Sequence, residues 1–299
     1  MAHDAIQSLR GIVKHGESMS RYTSWRVGGP VDQLFQPADI DDLATFLAQL
    51  PDKEPIHWIG LGSNLLVRDG GIRGTVIATT GFLVELQRRT DGLVYAQAGT
   101  TCAKLSRQCV TWGLEGADFF AGIPGALGGA LAMNAGAFGG ETWHAVKAVE
   151  VINRAGQIQT RQRNEYEIGY RYVKGPAEEW FIAGIFEFPP GQQKTRTEIK
   201  ELLAKRNALQ PIGLPSCGSV FRNPKGEHAA RLIEVAGLKG FSIGGARVSE
   251  KHANFIINEG RATAADIEAL MLHIEQTVEK THGIRLEREV RVIGERRDD

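Results

Sequence analysis

Hydrophobic and polar positions first alternate as strands and helices do, then lose their period around a glycine-rich centre. Val31 to Gln36 reads as a strand. Pro37-Ala38-Asp39 then opens a helix that carries Ile40, Leu43, Phe46, Leu47 and Leu50 on one side, the spacing of an amphipathic helix. His57 to Ile59 is a short apolar strand running into Gly60-Leu61-Gly62-Ser63-Asn64, and Gly74 to Ala78 is another. With residues 1 to 20 read as a leader containing a short helix, the first 80 residues form a small β-α-β-loop-β unit. Strands follow at Leu83 to Leu86 and Leu93 to Ala98, across the turn Thr90-Asp91-Gly92. A helix runs from Thr101 through Leu105, Cys109 and Trp112, and later strands cover Val146 to Asn153, Gln157 to Arg161 and Phe181 to Phe188. Thr197 to Asn207 is an amphipathic link to a third region. That region has a helix at His228 to Ala236 and a strand at Ala253 to Asn258. A long helix follows, capped by Thr263 with Asp266 and striped by Ile267, Leu270, Met271, Ile274 and Val278. Ile284 to Ile293 is expected as the last strand.

The period breaks between Gly113 and Glu141, where nine residues are glycine. Glycine is disfavoured by about 1 kcal/mol against alanine in a helix interior, so an ordinary helix is not expected. Phe119, Phe120, Ile123, Leu127 and Leu131 are too apolar for a disordered tract. A tightly turning, closely packed segment remains. Glycine amides are unshielded and can donate to phosphate oxygens, so the segment reads as the floor of a cofactor site. A glycine-rich core turn without a ligand is the other reading. The GLGSN loop is a second phosphate-type signal, two glycines after a strand with Ser63 and Asn64 as donors, although an ordinary tight turn also explains it.

Composition narrows the class. Lys plus Arg and Asp plus Glu are both 35, so there is no basic surplus for nucleic acid. The three cysteines, Cys102, Cys109 and Cys217, have no framework spacing and suit a reducing compartment. The start has no apolar signal region and no stretch reaches the roughly 18 apolar residues of a membrane span. A cytoplasmic protein without membrane insertion is expected. No HExxH or spaced Cys/His set points to a metal, and no GxxxxGK[ST] loop is present. What remains is an enzyme whose buried cofactor does the electronic work. Arg171, between Tyr170 and Tyr172, is a candidate anion clamp or a surface arginine stacked on tyrosine. Gly218-Ser219-Val220-Phe221-Arg222-Asn223-Pro224 combines a tight turn with a hydroxyl, an arginine and an amide.

Taken together, these motifs resemble the UDP-N-acetylenolpyruvoylglucosamine reductase family, over about Tyr22 to Gly294. The resemblance is carried by Thr23 to Gly29, Gly60 to Asn64, Phe120 to Gly140, Tyr170-Arg171, the GSVFRNP turn, Lys251 to Asn258 and Leu286 to Gly294. It implies an α+β protein with an FAD-binding fold of two α/β subdomains, 1–80 and 81–204, of the flavin-oxidase superfamily type. A third, C-terminal α+β substrate-binding domain would span 205–299. The chain's length matches the compact subclass without an inserted substrate-covering loop.

The resemblance also implies non-covalent FAD, NADPH as co-substrate and a UDP-sugar enolpyruvyl ether as substrate, in peptidoglycan precursor synthesis. The chain would be a monomer or weak oligomer. Hydride would pass from FAD N5 to C3 of the enolpyruvyl group and a proton to C2, giving UDP-N-acetylmuramate. Cofactor contacts are expected from Gly60, Gly62, Ser63, Asn64, Gly122, Ile123, Pro124, Gly125, Gly128, Gly129, Asn134, Gly136 and Ala137. Arg171 matches the family's arginine, which would stabilise the developing carboxylate charge. Ser219 matches the serine that protonates C2, which can serve because that carbon is very basic in the intermediate. Glu289 matches the C-terminal glutamate. A carboxylate would repel an enolate, so it is expected to be protonated or to hydrogen-bond as a donor. Arg222, Asn223, Lys251 and Asn254 are expected near the substrate. Val173 stands where the family usually has serine, and Arg288 where it usually has proline. The competing readings are an FAD-dependent oxidase of the same superfamily and a non-catalytic nucleotide-binding module.

Overall fold

The computed structural model describes residues 9–191 and 196–297. It divides into two compact units. The larger is 1–15, 33–61 and 74–203, and the smaller is 16–32, 62–73 and 204–299.

The larger unit is built on a five-stranded antiparallel sheet. Its order is Ile158–Gln162, Val146–Asn153, Glu179–Phe186, Val94–Gln97 and Leu86–Arg88. The central strand pairs Val149 with Gly184 on one side and Ala183 with Gln97 on the other. Helix Cys102–Thr111 packs on this sheet, its cap made by the Thr101 hydroxyl accepting from the Lys104 amide at 3.2 Å. Cys102, Leu105, Cys109, Phe120, Leu127 and Trp143 lie in the resulting core. A second core forms where helix Ile40–Gln49 sets Leu43, Phe46 and Leu47 against Phe35 and Ile77. Phe35 and Phe46 stack with centroids 3.9 Å apart. Beneath this helix, Ile56–Ile59 runs parallel to Ile72–Ala78.

In the smaller unit, helix Ala264–His282 buries Ile267, Leu270, Met271, Ile274 and Val278, as its stripe predicts. Thr263 and Asp266 form the expected capping box. Asp69 adds a second cap from a distant segment, accepting from the Ala264 and Ala265 amides at 3.0 and 2.9 Å. Trp25 is fully buried and donates its indole N–H to the Ile256 carbonyl at 2.7 Å. The Asn258 side chain closes the loop by donating to the Trp25 carbonyl at 2.8 Å.

Five expectations change. The strand expected at Leu83 to Leu86 lies at Leu86–Arg88. The first eight residues of the expected leader lie outside the described residues, and Ile12–Ser18 is an edge strand rather than a helix. The last strand is only Arg291–Ile293, parallel to Leu65–Val67. Leu286 and Val290 are buried as their parity suggests, but that stretch is zipped to a loop instead of a sheet. Ser242–Ile243 and Ala246–Val248 form a hairpin that the pattern does not show, with Gly244 at φ 55° in its turn. The glycine segment contains a short helix, Leu127–Met133, with Gly128 and Gly129 inside it. Close approach overrides propensity there, since a Cβ on Gly128 would lie 3.0 Å from that of Ala98.

Candidate active site

The glycine segment and Arg171 belong to the larger unit, whereas Ser219 and Glu289 belong to the smaller one. The GLGSN loop is divided, with Gly60 in the larger unit and Gly62, Ser63 and Asn64 in the smaller.

In the larger unit, the glycine segment leaves its short helix at Asn134, a left-handed residue at φ 46°. It then turns through the two-residue strands Gly136–Ala137 and Gly140–Glu141. A Cβ on Gly122 would strike Ala137 at 2.7 Å and the Phe138 ring at 2.6 Å, so the segment folds onto itself without room for a side chain. Ile123 and Gly125 are tied by local main-chain bonds, and Gly125 accepts from the Cys102 amide at 2.9 Å. Pro124 and Gly129 are exposed, and nothing lies within 4 Å of where a Gly129 Cβ would sit.

Arg171 is itself left-handed, at φ 54°. Its guanidinium donates to the Asn134 carbonyl at 3.4 Å and the Gly136 carbonyl at 3.2 Å. It also lies 5.2 Å from the Tyr170 ring centroid. The tyrosine stack expected of a surface arginine is therefore present, but so is an anchor on the glycine segment. Val173, at the position usually held by serine, packs against the neighbouring apolar core.

The flavin expected from the sequence can be tested against this unit. Gly60 ends strand Ile56–Ile59, and a Cβ there would sit 3.2 Å from the Ala126 Cβ and 3.7 Å from the Thr80 hydroxyl. That hydroxyl is buried and lacks a hydrogen-bond partner among the described residues. A buried hydroxyl in this state calls for a polar partner, and a bare glycine beside it leaves space for one. These residues fit a cofactor edge. Thr80 is absent from the expected contacts, because a Thr-Thr pair after a strand carries no signal of its own.

In the smaller unit, the chain just after Ser219 pairs with the chain at Glu289. The Glu289 amide donates to the Val220 carbonyl at 2.8 Å, the Arg222 amide to the Glu287 carbonyl at 2.9 Å, and Phe221 bridges Arg288. Asn254 holds the serine turn from behind. Its side chain accepts from the Phe221 amide at 2.9 Å and donates to the Phe221 carbonyl at 2.8 Å, while its carbonyl accepts from Val220 at 2.9 Å. Asn254 is only 3% exposed, so these bonds are made away from water. Asn223 likewise accepts from the Ala229 amide at 3.1 Å, and Lys251 donates to the Asn207 carbonyl at 2.5 Å. Arg222 lies 3.8 Å from Glu287.

Gly62, at φ 60°, is required by the approach of Tyr22 and Thr23, whose main chain would overlap a Cβ. Ser63 is half-buried beside it. The Asn64 side chain donates to the Glu289 carbonyl at 3.1 Å. Arg288, at the family's proline position, makes a bidentate ion pair with Glu275 of helix Ala264–His282, with one bond of 2.9 Å. It thereby fixes the chain that proline would stiffen. Among the described residues no group of three or more His, Cys, Asp or Glu side chains could hold a metal. No helix there is long and apolar enough to cross a membrane.

Comparison with known proteins gives two family matches. Residues 31–161 match an FAD binding domain, and residues 210–293 match the C-terminal domain of UDP-N-acetylenolpyruvoylglucosamine reductase. A protein of that name from Alkalilimnicola ehrlichii is 58% identical over 287 residues, covering 95% of this chain and 96% of its own. One from Methylococcus capsulatus is 55% identical, covering 96% and 94%. The crystal structure of UDP-N-acetylenolpyruvylglucosamine reductase from Thermus caldophilus superposes with a TM-score of 0.80 at 31% identity, covering 95% of this chain and 99% of that one.

Proposed function

The chain belongs to the UDP-N-acetylenolpyruvoylglucosamine reductase family, and from that membership we propose how its residues divide the work. It is an FAD-dependent oxidoreductase that reduces the enolpyruvyl ether of UDP-N-acetylglucosamine to UDP-N-acetylmuramate, a step of peptidoglycan precursor synthesis. NADPH is the electron donor. Bound FAD supplies the hydride acceptor and donor that no side chain can provide.

The chain's residues bind, orient and move the proton. Gly60, Thr80 and the exposed face around Gly129 would hold the cofactor in the larger unit. Arg171 directs its guanidinium to the substrate carboxylate, where charge builds as C3 is reduced. Ser219 gives its hydroxyl proton to C2, and Glu289 acts in its acid form beside the carboxylate. Asn254 and Asn64 keep those two residues in register, while Arg222 and Asn223 are candidates for the diphosphate side. Residues 1–80 and 81–204 would be the two halves of the cofactor fold and 205–299 the substrate domain, in the compact form of the family. The enzyme would act in the cytoplasm as a monomer or weak oligomer.

The observation that supports this most is the main-chain pairing of Glu289 with Val220, which sets the serine turn beside the segment that carries the glutamate. Incubation with NADPH and the enolpyruvyl sugar nucleotide, followed by mass spectrometry, tests the reading. A product heavier by two hydrogens, formed with matching NADPH oxidation, is the expected result. NADPH oxidation that consumes oxygen and leaves the sugar nucleotide unchanged would instead favour an oxidase.

A further inference from the structure

We propose that Asn134 and Glu141 are positioning residues for Arg171, and that the glycine segment serves the arginine as well as the cofactor. The inference rests on the role given to Arg171 above.

Asn134 occupies a costly place. It is a non-glycine residue in left-handed conformation and is 1% exposed. Its side chain is committed on every side. The amide nitrogen donates to the Glu141 carboxylate at 2.9 Å and to the Gly169 carbonyl at 3.1 Å. The amide oxygen accepts from the Trp143 main-chain N–H at 3.1 Å. With both N–H bonds spent on protein, this side chain has no hydrogen left to donate to a flavin.

These partners are informative. Gly169 lies two residues before Arg171, in the hairpin of Glu167–Gly169 with Tyr172–Lys174 that carries the arginine. Glu141 pairs with Gly136, whose carbonyl accepts from Arg171. The Asn134 carbonyl accepts from Arg171 as well. One residue thus grips the arginine's hairpin with its side chain and the guanidinium with its main chain. Glu141 orients the amide that makes the grip. Trp143 anchors the other side, fully buried and donating its indole N–H to the Leu131 carbonyl at 2.8 Å.

A guanidinium aimed by two carbonyls keeps its other N–H groups pointed in a fixed direction. Without the Asn134 side chain the hairpin would lose the bond that holds Gly169 to the glycine segment, and the fork would sample several directions. Catalysis by a charged donor depends on such prior orientation. The step to suffer is the one in which substrate charge develops, while flavin reduction by NADPH is spared.

Asn134→Gly is the sharpest variant, because glycine keeps the left-handed backbone while removing the side chain. Arg171→Ala and the double variant complete a cycle. The rates to measure are reduction by NADPH and reoxidation by the enolpyruvyl sugar nucleotide, together with calorimetric affinity for UDP-N-acetylmuramate. We expect Asn134→Gly to slow reoxidation about tenfold, to weaken product binding, and to leave reduction by NADPH within about twofold. In the Arg171→Ala background it should slow reoxidation by less than about twofold more. Glu141→Gln keeps an oxygen facing Asn134 and should slow the step less than Glu141→Ala, which also replaces Asn134→Gly in the cycle if that variant does not fold. Equal slowing of both half-reactions, or losses that multiply in the double variant, would overturn the inference. If Arg171→Ala slows reoxidation and Asn134→Gly does not, the positioning role alone fails. If Arg171→Ala itself changes nothing, the role of Arg171 fails and this inference with it.

Discussion

The side-chain amide of Asn64 donates to the main-chain carbonyl of Glu289 at 3.1 Å, and the Arg291 amide returns a bond to the Asn64 carbonyl at 3.1 Å. A residue that reads in sequence as part of a phosphate loop is therefore also the clasp on the segment that carries the glutamate, just before strand Arg291–Ile293. Asn64→Ala would leave that carbonyl without this partner in a half-buried place, at a cost of about 1–3 kcal/mol. Melting of the purified variant should show the loss. Its reoxidation by substrate should slow more than its reduction by NADPH, and an unchanged melting temperature would remove the clasp.

Ser219→Ala should leave flavin reduction by NADPH intact and slow reoxidation by substrate by orders of magnitude, because the hydroxyl is the proton source for C2. Glu289→Gln should impair the same half-reaction. Single-turnover traces of each half separate the two cases. A loss confined to the NADPH half would contradict both assignments.

The Arg68 guanidinium, bonded to both oxygens of Glu268 at 2.9 Å, holds that carboxyl below the usual glutamate range, and Arg296 and Arg288 add to the effect. A depressed folded-state value means that stability from this group is fully present above the unfolded value of about 4.3. It is lost as the pH falls through the lower folded-state value. Acid titration of melting temperature should therefore steepen below about pH 4.3, and Glu268→Gln should flatten that limb. An identical acid limb in both proteins would show that the ion pair contributes nothing.

Cys217 is two residues from Ser219, yet its thiol is buried and 3.5 Å from the Leu65 carbonyl, and burial pushes its pKa up to about 12. Cys109 is raised to about 12 by the same cause. Neither is a thiolate at neutral pH. Native protein should fail to react with a disulfide reagent at pH 8 and should release thiols only on unfolding in guanidinium. Rapid native labelling of Cys217 would contradict the packing.

Local signals made some elements legible and hid others. The helix Ala264–His282 could be read whole, because cap, stripe and terminal Gly283 all lie within it. The helix inside the glycine segment could not, since its Gly128 serves a close approach to Ala98, thirty residues earlier. The stretch from Leu286 to Val290 kept its burial parity, but its partner is a loop near residue 221 that no periodicity announces. Asparagines were the hardest to assign. Asn64, Asn134 and Asn254 all stand in motif positions, yet their partners at Glu289, Gly169 and Phe221 lie 225, 35 and 33 residues away. An amide side chain looks the same in sequence whether it faces a ligand or braces a turn.

The central claim is that this chain passes electrons from NADPH to an enolpyruvyl sugar nucleotide through bound flavin. Anaerobic stopped-flow absorbance at the flavin band tests it most directly, with NADPH added first and the UDP-N-acetylglucosamine enolpyruvyl ether second. The account predicts bleaching on the first addition and rapid recovery on the second. A bleached protein that the sugar nucleotide cannot recolour would contradict the substrate, and a colourless protein that takes up no FAD would contradict the reading of the glycine segment.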